Sequence, residues 1–407
     1  MSHWETFQGG VTSPLGFQGA GVAAGIKAAG KPDLALVFSA EPCEAAGVFT
    51  RNKVKAAPLL LDQEHLKKAK PRALVINSGN ANACTGERGM ADALAMAQAA
   101  AGELGLKTEE VLVASTGVIG VPLPLEKIKR GIILAARELS REGGSRAARA
   151  IMTTDLRPKE TAVSFLLDGR KVTIGAMAKG SGMIHPHLAT MLAFITTDAA
   201  VAKEGLEMAL RAAVDASFNM LTVDGDTSTN DLVLLLANGA AGNSTLSPDS
   251  PDFPFFQEAL THLCVVLAKE IARDGEGATK FLEVRVKNAR SLADARRAAR
   301  AVAASNLVKT ALFGEDPNWG RILCAVGYSG ANFNPETVDI FLASAGGRIQ
   351  TASAGMGLAF DEVEARRILK EKEITIEVDF RDGREEAAAW GCDFSYDYVK
   401  INADYRT

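Results

Sequence analysis

Thr190 stands in an unusual place for a hydroxyl. Small Ala189 precedes it, and an apolar run, Met191–Ile195, follows, bounded by Thr196, Thr197 and Asp198. That run has the length of a fully buried strand, and a polar group at its head must be satisfied or used. A glycine-rich turn, Gly180 to Gly182, lies shortly upstream. If the Ala189–Thr190 bond were cut, the new chain would begin with nucleophile and base in one residue. The hydroxyl attacks and the free α-amine accepts its proton. An α-amine titrates near ~8, so the base role needs little tuning. The plain alternative is that Thr190 is an ordinary β-branched strand residue.

Other stretches could support such chemistry. Val111–Ala114 reads as a strand running into Ser115-Thr116-Gly117. A strand ending this way can aim successive backbone N–H groups at one point, which is what an oxyanion site requires, although most such triplets are turns. Glu276 sits between two glycines ahead of a strand at Phe281–Val286. It is a solvated side chain or a partner for a cationic substrate. Lys179 follows Ala162–Leu167 and Lys171–Ala176, which alternate around Asp168-Gly169 as a hairpin does. Competing sites fall away. His185 and His187 have no third ligand nearby, so no metal is expected. Gly180-Ser181-Gly182 lacks the spacing of a hydrolase elbow. Gly16-x-x-Gly19 has no strand before it, and the run Gly275–Lys280 lacks phosphate-loop spacing.

The elements that must position these residues alternate between strands and helices. Strands are expected at Asp33–Ser39, Ala45–Thr50, Ala73–Ile76, Leu221–Thr229 (with a polar turn), Asp231–Ala237, Thr337–Leu342 and Glu373–Val378. Helices are expected at Glu87–Leu104, Leu125–Leu139, Arg146–Met152, Lys203–Ala216, Phe255–Ala272, Leu292–Ala304 and Phe360–Leu369. Residues to about Pro14 read as a tail, Asn77–Gly86 as an irregular loop, Asn243–Pro254 as a flexible excursion and Asp316–Arg321 as a rigid turn. The 407 residues suffice for two or three lobes. A net charge of −4 gives no reason to expect nucleic acid or an anionic membrane as partner. No apolar run approaches the ~18 residues of a membrane span. The N-terminus lacks the pattern of a signal peptide, and five scattered cysteines fit reduced thiols in the cytoplasm.

The stretch Lys179–Asp198 (KGSGMIHPHLATMLAFITTD) resembles the self-cleavage site of the ornithine acetyltransferase family, the glutamate N-acetyltransferases of cyclic arginine biosynthesis. The likeness extends to Gly16–Lys27, Asn77–Ala83, Asp316–Arg321 and the terminus Asp397–Thr407. It implies an α/β fold of stacked mixed β-sheets flanked by helices, layered α-β-β-α. It implies cleavage into an N-terminal chain, 1–189, and a C-terminal chain, 190–407, associating as an α2β2 heterotetramer. The implied reaction moves acetyl from N2-acetylornithine to glutamate through an acetyl-Thr190, with no cofactor. Some members also take acetyl-CoA as donor, which makes amino-acid N-acetyltransferase activity a second expectation. The resemblance makes Thr116 and Gly117 the oxyanion hole, and one of the pair Thr153 and Thr154, with Lys179, Thr190, Glu276, Asn402 and Thr407, substrate contacts. An aminopeptidase or amidase of the same self-cleaved architecture, or a non-catalytic binding protein, remains open.

Overall fold

The apolar run after Thr190 becomes a strand buried on both faces, and the layers of the molecule stack around it. The computed structural model describes residues 3–185 and 191–404, with Ala29 through its backbone only. Ala189, Thr190 and Thr407 therefore lie outside the described residues. A first sheet of six strands runs in the order β1 (Glu5–Phe7), β7 (Lys159–Leu167), β8 (Arg170–Lys179), β9 (Leu192–Thr197), β10 (Leu232–Ala237), β4 (Glu44–Phe49). A second has four: β2 (Phe17–Val22), β3 (Leu34–Ser39), β5 (Ala73–Asn80), β6 (Val111–Val118). The third has six: β14 (Met356–Gly357), β13 (Gly347–Ser353), β12 (Asp339–Ser344), β15 (Glu373–Asp379), β11 (Phe281–Ala289), β16 (Glu385–Cys392). Each mixes parallel and antiparallel pairs. The helices are α1 (Ala57–Lys68), α2 (Gly86–Leu104), α3 (Leu125–Arg137), α4 (Gly144–Ala150), α5 (Lys203–Ala216), α6 (Phe253–Arg273), α7 (Leu292–Ala304), α8 (Asn306–Phe313), α9 (Trp319–Gly327), α10 (Glu362–Leu369) and α11 (Tyr396–Asp404).

Side-chain alternation explains the layering. Leu192 and Phe194 of β9, with Leu232, Leu234 and Leu236 of β10, share one core with Leu74, Ile76, Leu112 and Ala114 of the second sheet. The intervening Ala193, Ile195, Val233 and Leu235 join a different core with α5 and α6. The far face of the second sheet packs on α2 and α3. The order is α-β-β-α, as the resemblance implies, and the third sheet extends the α6 side. Burial on both faces gives β10 an unbroken apolar run and β9 one as far as Ile195. Each large side chain so buried contributes about 1.5–3 kcal/mol.

The structure corrects several local expectations. The N-terminal residues are no tail: β1 pairs with β7, and the Leu15 N–H donates to Asp198 at 2.9 Å. The polar residues that bound the apolar run, Thr196, Thr197 and Asp198, lie in the interior. All three are buried, with Thr197 Oγ1 donating to the Thr173 carbonyl at 2.8 Å. Residues 221–229 form bends with isolated bridges at Leu221 and Thr227 rather than a strand. Residues 243–254 are anchored, because the Asn243 side chain exchanges bonds with Ala200 and Leu246 is buried. Asn77–Asn80 continue β5 instead of looping out, and α9 begins inside the expected rigid turn, capped by Asn318.

Candidate active site

Strand ends and loops from both stacked sheets meet at one cleft. Lys179, the last residue of β8, pairs with Leu192. β9 and β10 run parallel with Leu192 level with Leu232, and the Leu232 N–H donates to the Met191 carbonyl at 3.1 Å. From the second sheet, β6 ends in Thr116, Gly117 and Val118. The segment after α4 adds Thr153 and Thr154, the loop after α6 adds Glu276, and α11 adds Tyr398 and Asn402. These residues line a cleft of about 250 Å³. It thus gathers Thr116, Gly117, Thr153, Thr154, Lys179, Glu276 and Asn402, together with Met191, the residue that follows Thr190.

Glycines permit the close approaches. Gly117 has φ +130°, and a Cβ there would strike the Gly79 carbonyl carbon, so no side chain fits. A Cβ on Gly182 would strike the Glu276 carboxylate. The asparagine-rich segment is a scaffold for β6. Asn77 accepts from the Ser115 hydroxyl at 2.6 Å, and Asn80 donates to Val121 at 3.0 Å. Asn230 Nδ2 bridges the Ala81 and Ser115 carbonyls at 2.6 and 2.8 Å, tying the β10 loop to the second sheet.

A buried ion network braces the Lys179 side. Lys159 Nζ lies 2.7 Å from Asp155 and 2.6 Å from Asp274. Asp155 also accepts the N–H groups of Gly180 at 2.7 Å and Thr153 at 2.9 Å. Burial alone would raise the Asp155 carboxyl, but the Lys179 and Lys159 ammonium groups and the Gly180 N–H hold it below the carboxylate range. Burial lowers the Lys179 ammonium, against Asp155 at 3.9 Å, whose charge raises it.

Three acidic cleft residues escaped sequence reasoning: Asp224, Asp226 and Asp231. Asp231 is buried, its Oδ2 has no hydrogen-bond partner among the described residues, and burial pushes its carboxyl well up. A signal for it existed, because Asp231, like Thr190, stands just before an apolar run in the sequence. Tyr398, also lining the cleft, has its phenol raised by burial and by the charges of Asp224, Asp226 and Glu276. Among the described residues, no group of three or more His, Cys, Asp or Glu could hold a metal ion. No helix among them is long and apolar enough to cross a membrane.

The model of the ArgJ family matches residues 18–407. The chain belongs to the ArgJ family. It is 59% identical over 405 residues to the arginine biosynthesis bifunctional protein ArgJ of Symbiobacterium thermophilum, covering 99% of this chain and 100% of that one. It is 54% identical over 403 residues to the ArgJ of Caldanaerobacter subterraneus, at 99% and 100% coverage. The crystal structure of the Bacillus halodurans ArgJ superposes with a TM-score of 0.50 at 48% identity, covering 52% of this chain and 98% of that one. The family read from the motifs and the family found by comparison are the same.

Proposed function

We propose that this ArgJ-family chain is a self-cleaving acetyltransferase that moves the acetyl group of N2-acetylornithine to glutamate. The observation that carries the reading is the division of charge in the cleft. Lys179 is the one cationic side chain among the described lining residues, and Glu276 is one of four carboxylates that line the same cleft. Ornithine and glutamate share an α-carboxylate, which suits Lys179. Ornithine alone adds a side-chain ammonium, which suits Glu276.

Maturation comes first. The Thr190 hydroxyl attacks the Ala189 carbonyl, its proton passes to the departing nitrogen, and the C–N bond breaks to leave an ester. Water then hydrolyses the ester, freeing Thr190 as an N-terminus and Ala189 as a carboxylate. The pieces 1–189 and 190–407 stay together, because both line the cleft. Relevant support is the Bacillus halodurans structure, whose chain spans about half of this one.

In turnover, the Thr190 hydroxyl attacks the acetyl carbonyl while its α-amine takes the proton. Backbone groups at Thr116 and Gly117 hold the oxyanion. Collapse returns the proton to the α-amine of ornithine, which leaves, and acetyl-Thr190 remains. The amine of glutamate attacks that ester, and acetylglutamate departs. One of the pair Thr153 and Thr154, with Asn402 and Thr407, completes substrate binding. The same ester could be loaded from acetyl-CoA, and no resident cofactor is required. We further propose a cytoplasmic α2β2 assembly.

The test is mass spectrometry of purified protein mixed with acetylornithine alone. The piece beginning Thr-Met-Leu-Ala-Phe should gain one acetyl group, and glutamate should remove it. Initial rates should give parallel double-reciprocal lines. Intersecting lines with no trapped acetyl piece would overturn the mechanism.

A further inference from the structure

A second cavity, of about 250 Å³, lies between α7, the end of α5 and the loop after β4. α7 gives it Arg296, Arg297 and Arg300, the loop gives Arg51, and residues at and after the end of α5 give Asp215 and Asn219. None of these lines the active cleft. Four guanidinium groups against one carboxylate leave a formal charge of +3, in a chain whose net charge is −4.

Such a gathering is unfavourable on its own. Arg296 stands four residues from Arg300 on one helix, and Arg297 stands three from it. At those spacings like charges repel. Neighbouring groups relieve little of this. Arg297 lies 3.4 Å from Asp294 and donates to the Gly330 carbonyl at 3.3 Å. Asp215 accepts from Asn219 Nδ2 at 2.7 Å. Arg51 and Arg296 form no ion pair among the described residues. Arg300 is half-buried, and burial lowers its guanidinium. The helix does not need the arginines to hold it in place, because Ala295, Ala298, Ala299 and Val302 bury its other face.

We infer that this cavity binds a phosphate group of a small molecule. A guanidinium fork meets phosphate oxygens two N–H groups at a time. Arg51 comes from an element far from α7 in the sequence, and a merely solvated helix face would not need it there. The concavity suits a small anion, whereas a polynucleotide is met by an extended basic surface. The site is independent of the proposed acetyl transfer, but it lies one loop from the active cleft. Thr50 Oγ1 donates to the Ser228 carbonyl at 3.1 Å and Asn52 Nδ2 to the Thr227 carbonyl at 3.0 Å. The residues on either side of Arg51 thus hold the loop whose Ser228 lines that cleft. Two sources of phosphate fit this placement. One is the phosphate end of a thioester donor whose acetyl end enters the cleft, and the other is a free phosphorylated molecule.

The experiment is calorimetric titration of the purified protein with inorganic pyrophosphate at low and at physiological salt. One saturable site is expected, weaker at the higher salt. The double variant Arg296→Gln, Arg300→Gln, checked for folding by circular dichroism, should bind pyrophosphate about tenfold more weakly or worse. Coenzyme A is then added to the wild-type pyrophosphate complex. Displacement assigns the site to the thioester donor, and retention assigns it to a free phosphorylated molecule. No saturable binding, or equal binding by wild type and the double variant, overturns the site. Binding of single-stranded RNA in preference to pyrophosphate overturns it too. Should the double variant not fold, Arg51→Gln changes only a loop residue. It should weaken pyrophosphate binding about threefold or more, and unchanged binding there overturns the site.

Discussion

The cleft lining differs in charge on the two sides of residue 190 in the sequence, and each side is called a wall here. Upstream, the lining is Ala81, Thr116, Gly117, Ile119, Thr153, Thr154, Lys179, Gly182 and Met183, which carries one cation and no carboxylate. Downstream, Asp224, Asp226, Asp231 and Glu276 supply four carboxylates and no cation. The upstream wall is held by a buried ion network, in which Asp155 and Asp274 flank Lys159. The downstream carboxylates are held mainly by backbone N–H groups and side-chain amides, as at Asp224 and Glu276. Neither wall alone makes a dipolar pocket. A zwitterionic substrate needs both, so two cleaved pieces would have to remain associated to work.

The largest effect should come from Thr190→Ala, which removes the group proposed to separate the walls. A single uncleaved chain is expected on a denaturing gel, with no acetyl transfer above background. Two bands from this variant would remove Thr190 as the cleaving residue.

Next should come Asp155→Asn, which strips the upstream wall of its charge balance. Breaking a buried pair typically costs about 3–5 kcal/mol, and the low end is expected here because Asp274 still faces Lys159. Urea titration at neutral pH measures it. The Asp155 carboxyl is held below its ordinary value, so its contribution is present above about pH 4 and is lost as pH falls further. Wild type and variant should therefore converge in stability as the pH drops towards 2. A constant difference would mean that Asp155 acts through packing rather than charge.

Much of this arrangement can be read from sequence, and the failures have physical causes. The helices at Lys203–Ala216 and Leu292–Ala304 match to the residue, because one face is apolar and the boundaries are clear. The Asp168-Gly169 hairpin turn holds both residues at positive φ. β1 was hidden because three residues become a strand only through pairing with β7. β16 was hidden because Ala387, Ala388 and Ala389 have poor strand propensity, and tertiary pairing with β11 overrides it. α1 went unread because Pro58 and three successive leucines show no helical stripe. In the site, Thr116, Gly117, Lys179 and Glu276 are singled out by the motifs, and they line one cleft. The rest of the acidic wall was not legible, since Asp224, Asp226 and Asp231 lie in a turn-rich stretch where acidic residues are ordinary. Only the folded register puts Leu232, the residue after Asp231, level with Leu192 and on the Met191 carbonyl.

The smallest effect separates the walls most sharply. Glu276→Gln keeps the shape of the downstream wall and removes one charge. Asn402 Nδ2 donates to Glu276 Oε2 at 2.9 Å, and the carbonyl oxygen of glutamine can keep that bond. What is lost is attraction for the side-chain ammonium of ornithine. A charge-assisted hydrogen bond contributes about 1.5–3 kcal/mol, so acetylation by acetylornithine should slow ~10-fold or more. Glutamate carries no such ammonium, so deacetylation of a preformed acetyl-enzyme by glutamate should change little. The two half-reactions can be timed separately by following the mass of the C-terminal piece. If both slow equally, Glu276 acts on the shared part of the substrates, and the division of labour between the walls fails at that residue. If only the first slows, the acidic wall reads the group that distinguishes donor from acceptor.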